Sequence, residues 1–258
     1  EVDLLNYLLD DPQTGVIVMH IEDVKDGHKF INTVQKVAAR KPVLILKPGR
    51  TELGAKASAS HTGSLAGSER IYDAAFRQAG AIRLNTWREF WEIPRVFVNQ
   101  PLPQSNRIAI ITFTGGVGVA SVDTAEECGL AIAEFSAATV YRLSKLSPQL
   151  ARNPVDLGPL IPISKDPLLV LQETIAAVVN DSNVDLVTAT LYASSGAETA
   201  IYMDIIDRVI KNIAKPMSIW IYGTELGAME DLSRQVQGRG LPAYFDIELA
   251  IKALATSA

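Results

Sequence analysis

Apolar residues follow one another along this chain in two alternating rhythms: short, mostly apolar runs, and stripes spaced three and four residues apart. Val16–Ile21, Val43–Leu46, Arg107–Phe113, Val184–Leu191 and Met217–Tyr222 are runs of strand length, of the kind buried on both faces of a parallel sheet. Between them, Phe30, Ile31, Val34, Val37 and Ala38 form a stripe that begins after Asp26-Gly27 and stops at Lys41-Pro42, as a helix should. Residues 1–11 read as an amphipathic helix closed by turns at Asp11-Pro12 and Thr14-Gly15. A helix from Ser64 to Gln78 would turn Leu65, Ile71, Ala75 and Phe76 inward and end at Gly80. Ala81–Leu84 is a short strand. Thr86 can cap a helix from Trp87 to Val98, with Trp87, Phe90, Trp91 and Val98 as a core stripe and Pro94 kinking or dividing it.

Asn99–Asn106 is polar and holds two prolines, so it reads as a linker between a first domain, 1–98, and a second, 107–258. Further helices are predicted over 136–146, 167–180, 197–213, 225–236 and 247–254, with a short strand at 242–244. Alternating strands and helices joined by short loops predict an α/β protein of two domains, each a mostly parallel sheet with helices on both faces.

Composition narrows the class. With 258 residues, 48% hydrophobic and 21% charged, the chain is an ordinary soluble globular protein large enough for two cores. A net charge of -5 without a basic cluster argues against nucleic acid as partner. Cys128 is the single cysteine, and no apolar run approaches the length of a membrane span, so a cytoplasmic setting is expected. One Cys and three dispersed His give no zinc spacing and no metal site is expected; neither a Gly-x-Ser-x-Gly elbow nor a Walker lysine motif is present.

The candidate chemistry begins at Lys47–Gly63, a stretch too poor in large apolar residues for core, which reads as a long loop leaving a buried strand. Small residues surround His61 there, flanked by Ser60 and Thr62, as where backbone approaches a ligand. Neutral imidazole is nucleophilic near pH 7 and could relay a phosphoryl group; a merely solvated loop histidine is the alternative. Parallel strands end on one sheet edge, so Glu22 emerges on the same side as this loop. Its carboxylate could hold one ring nitrogen and leave the other free, or it could be an ordinary solvated strand end. His20 and His28 read as structural.

A second candidate is the turn Thr114–Ser121. Gly115, Gly116, Val117 and Gly118 lie between strand and helix, where backbone N–H groups and the positive helix end favour an anion such as phosphate. Gly116-x-Gly118-x-x-Ser121, with Glu134 after a second strand, also comes near the dinucleotide fingerprint, although serine takes the third glycine position. Asn153-Pro154-Val155-Asp156 reads locally as a rigid turn.

Arg50–Gly80, with Ser60-His61-Thr62-Gly63-Ser64-Leu65-Ala66-Gly67-Ser68 and Tyr72-Asp73-Ala74-Ala75-Phe76-Arg77-Gln78-Ala79-Gly80, resembles the phosphohistidine segment of the NDP-forming acyl-CoA synthetases, relatives of succinyl-CoA synthetase. The resemblance extends over essentially the whole chain. It implies two flavodoxin-like domains, a ligase interconverting acyl-CoA, ADP and phosphate with carboxylic acid, CoA and ATP, transient phosphorylation of His61, and Glu22 as the residue orienting its ring. Ser60, Thr62 and Gly63 become neighbours of the phosphorylated ring. The Gly115–Gly118 helix start would face the phosphohistidine from across the domain interface, with Phe113-Thr114 where the family has Asn-Ala. Asn153 and Asp156 would stand by the active cleft.

The resemblance also implies parts that this chain does not hold: a CoA-binding domain before its first helix, so that the chain begins mid-domain, and an ATP-grasp domain or subunit. CoA, ADP or ATP, and Mg belong to the complete, oligomeric enzyme, with no cofactor assigned to this chain, which alone should not turn over. In some relatives the same domains are fused to an acetyltransferase as an acyl-CoA-sensing regulator, an alternative that the flanking sequence would decide.

Overall fold

The computed structural model describes residues 1–62, 68–194, 196–210 and 214–258. The chain forms two compact units, Glu1–Val98 and Asn99–Ala258.

In the first unit, β1 (Ile17–His20), β2 (Val43–Leu46) and β3 (Ile82–Leu84) pair in parallel in that order, with Ile17 opposite Val43 and Leu44 opposite Ile82. Helix α1 (Val2–Asp10) buries Leu5 and Leu9, one turn apart. Helix α2 (Gly27–Ala38) is capped by Asp26, whose carboxylate accepts from the Lys29 N–H at 3.0 Å, and buries Phe30, Val34 and Val37. These side chains meet Val43, Ile45 and Phe76 in one cluster. Alternation turns the buried Leu44 and Leu46 to the opposite face, where α5 (Trp87–Glu92) contacts both β2 and β3. Helices therefore cover both faces of this sheet.

Three expectations for this unit change. Residues 52–62, expected to be loop, are helix α3 (Glu52–Thr62). The Thr51 carbonyl accepts from the Ala55 N–H at 2.7 Å, its hydroxyl accepts from Gly54 N–H at 3.1 Å, and Ala55, Lys56 and Ala57 are strong helix formers. Helix α4 is described from Glu69 to Gln78, and residues 64–67, expected to form its beginning, lie outside the described residues. Its buried side carries Phe76 and Ala79 beside the half-buried Tyr72, which leaves Ile71 69% exposed. In α5 the inward side is Glu89, followed by Ile93, Pro94 and Val96 in a 3-10 turn, so Trp87 and Trp91 stand outside, 52% and 66% exposed. Pro94 does divide this helix, which is α-helical to Glu92 and 3-10 from Ile93 to Phe97.

In the second unit, β4 (Arg107–Thr112), β5 (Ala131–Ile132), β7 (Leu186–Ala193), β8 (Met217–Gly223) and β9 (Ala243–Tyr244) lie in the order β5-β4-β7-β8-β9, all parallel; β6 (Val155–Asp156) pairs with the end of β4. Counted within the unit this is the flavodoxin order 2-1-3-4-5, whose switch point lies between β4 and β7. Helices α7 (Ala137–Leu146), α8 (Pro167–Val179), α9 (Gly196–Ile205) and α10 (Leu226–Gln237) share one apolar cluster with the strands. Helices α6 (Gly115–Glu127) and α11 (Ile247–Ser257) pack together, α6 against β4 and α11 against β8. The helix expected over 197–213 is α9 followed by one π-helical turn, Ile206–Ile210; residues 211–213 lie outside the described residues. Among the described residues no helix is long and apolar enough to cross a membrane.

Candidate functional site

In the first unit the chemistry gathers where the three parallel strands end. His20 pairs with Leu46, and the Ile21 N–H donates to the Leu46 carbonyl at 3.1 Å. Glu22 and Lys47 therefore leave the sheet at the same edge, from adjacent strands. Glu22 is half-buried and Lys47 almost wholly buried, 5% exposed. Asp23 accepts from its neighbour Val24 N–H at 2.8 Å and from the Tyr72 hydroxyl of α4 at 3.1 Å. Burial first, and then the bond to Asp23, push the Tyr72 phenol above its ordinary range. The Lys47 ammonium lies 4.8 Å from the centre of the Tyr72 ring and donates to the Pro48 carbonyl at 3.0 Å.

After Lys47 the chain turns through Gly49, at φ +81°, a left-handed conformation that glycine adopts without steric cost. Arg50 follows, tied to the Asn85 side chain at 2.7 Å and to Glu69 at 3.3 Å, while Arg83 on β3 holds the other Glu69 oxygen at 2.8 Å. The entry to α3 and the start of α4 are thus stapled to the sheet edge. His61 is in the last turn of α3, and Ser60 is exposed, its hydroxyl donating back to the Lys56 carbonyl at 3.0 Å. The side chains of His61 and Thr62, and all of Gly63, lie outside the described residues. His28 is on the helix surface, and His20 is exposed with its ring 4.9 Å from that of Trp87.

In the second unit the glycines at 115, 116 and 118 form the first turn of α6. Thr114 caps it, its hydroxyl facing the Val117 N–H at 3.4 Å, while the Gly118 N–H donates to the Thr114 carbonyl at 3.1 Å. Gly115 and Gly116 present the remaining N–H groups of the turn, and a side chain at Gly116 would meet open space. Asp156 stands beside this turn: one oxygen accepts from the Gly158 N–H at 2.9 Å and the other would lie 3.3 Å from a Cβ at Gly115. Thr112, Arg152, Pro154, Asp156 and Asp123 border a cavity of about 420 Å³ next to it. Its charges are mixed, so an anion entering near Gly115 would meet a carboxylate as well as the helix N-terminus.

Asn153 has a different task. Its amide oxygen accepts from the Ile110 N–H at 3.0 Å, and its nitrogen donates to the Ile108 and Ala133 carbonyls at 2.8 and 3.1 Å. That side chain fastens the turn, whose Asn153-Pro154 peptide is cis, to β4 and to the end of β5. A Cβ at Gly158 would lie 2.1 Å from the Phe113 carbonyl oxygen, so only glycine fits where the turn recrosses the β4–α6 junction.

The comparisons bear on both units. Residues 1–97 match the family model described as a succinyl-CoA ligase like flavodoxin domain. Over 249 residues, 94% of this chain, there is 36% identity with the alpha subunit of acetate–CoA ligase (ADP-forming) II from Pyrococcus furiosus, of which 52% is covered. The chain is similar to the alpha subunit of an ADP-forming acetyl-CoA synthetase. A second ADP-forming acetate–CoA ligase, from Archaeoglobus fulgidus, is 33% identical over 98% of the chain, which covers 37% of it. Among solved structures, an acetyl-coenzyme A synthetase from Ca. Korarchaeum cryptofilum, in complex with phosphate and ADP, superposes with a TM-score of 0.86 at 28% identity, over 100% of this chain and 55% of that one. The alpha-subunit-like chain thus spans about half the length of the relatives it matches, or less.

The sequence led to Glu22, Asp156 and the α6 turn, but passed over Lys47, Asp23, Tyr72 and the Arg50–Glu69–Arg83 group. A lysine directly after a buried run and before Pro-Gly was the available signal for Lys47. The others depend on contacts between residues 14 to 49 positions apart.

Proposed function

We propose that this chain is the phosphohistidine-bearing part of an NDP-forming acyl-CoA synthetase. The observation that carries the reading is the sheet edge of the first unit. Two adjacent parallel strands deliver Glu22 and the segment bearing His61 to one side, in a chain similar to ADP-forming ligases over nearly its whole length.

In the proposed reaction, phosphate attacks the acyl-CoA carbonyl and the CoA thiolate leaves, giving an acyl phosphate. A ring nitrogen of His61 then attacks phosphorus, the P–O bond to the acyl group breaks, and the carboxylate departs. Glu22 accepts a hydrogen bond from the other ring nitrogen, fixes the tautomer and stabilises the positive charge of the phosphorylated imidazole. ADP finally takes the phosphoryl group from nitrogen onto its terminal oxygen and becomes ATP, with Mg accompanying the nucleotide. The first turn of α6, Gly115–Gly118, binds phosphate through backbone N–H groups.

CoA and nucleotide are to be held by parts outside this chain, a CoA-binding domain and a nucleotide-grasp domain or subunit, and the chain by itself is expected to show no turnover. The test is acid-labile labelling of the complete ligase with radiolabelled ATP: the parent should take up label and His61→Asn should not. Undiminished label in the variant would rule His61 out.

A further inference from the structure

A helix start that is to hold phosphate has a carboxylate fixed beside it. Asp156 is no loose surface chain: in β6 it lies opposite Thr112, the Leu157 N–H donates to the Thr112 carbonyl at 2.8 Å, and its own Oδ1 accepts from the Gly158 N–H at 2.9 Å. Its other oxygen, Oδ2, accepts no hydrogen bond among the described residues and lies on the α6 side, 3.3 Å from where a Cβ would stand on Gly115. Asp156, Gly115, Gly118 and Thr112 border the same cavity of about 420 Å³. The Thr112 hydroxyl is already engaged, accepting from the Thr114 N–H and donating to the Thr114 carbonyl, both at 3.2 Å. Oδ2 is thus an acceptor left open next to the N–H groups of the turn.

A carboxylate of this kind could simply favour the helix start, as acids do there. Thr114 already caps α6, however, and among the described residues no α6 N–H is bonded to Asp156. A ligand gives the open oxygen a use. A carboxylate can only accept, so against an anion without protons it finds no donor and repels at short range. An oxyanion that keeps a proton reverses this: its O–H donates to Oδ2 in a charge-assisted bond while its other oxygens face the backbone N–H groups. Inorganic phosphate near neutral pH keeps a P–OH group, and arsenate keeps its As–OH. Sulfate keeps none.

We propose that Asp156 is the specificity-determining residue of the α6 anion site: Oδ2 accepts the P–OH of inorganic phosphate, so that the site takes protonated oxyanions and refuses sulfate. The inference rests on the reading above, in which the first turn of α6 binds phosphate.

The test is displacement of radiolabelled inorganic phosphate from the complete ligase near neutral pH, with arsenate and sulfate as competitors and thermal melting as the check on folding. Gly116→Asp, whose side chain would enter open space, sets a negative charge at the turn, and the label it releases is the phosphate held there. For that fraction in the parent, arsenate should displace at a concentration about tenfold or more below that of sulfate, because a site built around a hydrogen bond rejects the analogue that lacks it. Asp156→Asn, which keeps the shape but can donate as well as accept, should close most of that gap. If this variant does not fold, the comparison of the two competitors in the parent decides. Sulfate displacing as well as arsenate in the parent, or a gap unmoved in Asp156→Asn, overturns the proposal and leaves Asp156 a fixture of the turn. A Gly116→Asp ligase that folds and releases no label overturns the phosphate reading of α6 first, and this proposal with it, so the two failures are distinguishable.

Discussion

Asn153 shows how a residue that reads as a cleft-side candidate can act by building the wall of the cleft. Its single amide satisfies one N–H and two carbonyls from β4 and from the residue after β5. Asn153→Ala should therefore cost about 3 kcal/mol, since each lost bond is modest but leaves a backbone group without its partner. A fall in the urea midpoint of that order, with an unchanged slope, is the expected measurement. The Asn-Pro pair was visible in the sequence and its turn was legible. Which backbones the amide would join was not, because those partners lie 20 to 45 positions away. Glu22 was legible for the opposite reason: a carboxylate at the end of a strand-length run needs no distant contact to be placed on an edge.

At the scale of elements, legibility followed how much apolar surface an element buries. The strands and α2 announce themselves by rhythm, and the structure has them within a few residues of the predicted positions. Helix α3 carries no apolar stripe, so periodicity could not reveal it; propensity and the Thr51 cap make it. Thr51→Ala should cost about 1 kcal/mol and loosen the first turn of α3, seen as faster amide exchange at Ala55 and its neighbours. Helix α5 misled differently. Trp87, Phe90 and Trp91 have helical spacing, but spacing does not say which side faces the sheet. Glu89 is the residue that turns inward, where its carboxylate accepts from the Asn85 N–H at 2.6 Å while the Thr86 hydroxyl accepts from the Glu89 N–H at 3.1 Å. A capping interaction of this kind removes the desolvation penalty that would otherwise keep a glutamate outside.

For the molecule as a whole, the division near residue 98 and the two parallel sheets follow from strand-helix alternation with a proline-bearing polar stretch between. The second unit has a pH dependence of its own. Hydrogen bonds from Arg107 hold the Asp185 carboxyl below its ordinary 3.8. At Asp181, burial pushes upward, but the bonds from Thr139, Asn183 and Ser136 together outweigh it and the net shift is also downward. A carboxyl lowered on folding contributes stability that is complete above its unfolded value and is lost as pH falls through the folded one. The second unit should hold its stability down to about pH 4 and lose it steeply below. Asp185→Asn should be less stable at neutral pH and show a flatter acid loss, measured by chemical denaturation at a series of pH values.

The three hydrogen bonds of the Asn153 amide also bear on whatever occupies the space beside Thr112 and Asp156. Because that wall is bonded to the strands through Asn153, its ordering was settled when the chain folded, and a guest need not freeze it again. Binding there should accordingly show a small heat-capacity change and little added protection of the turn, so that discrimination among guests rests on their shape and charge.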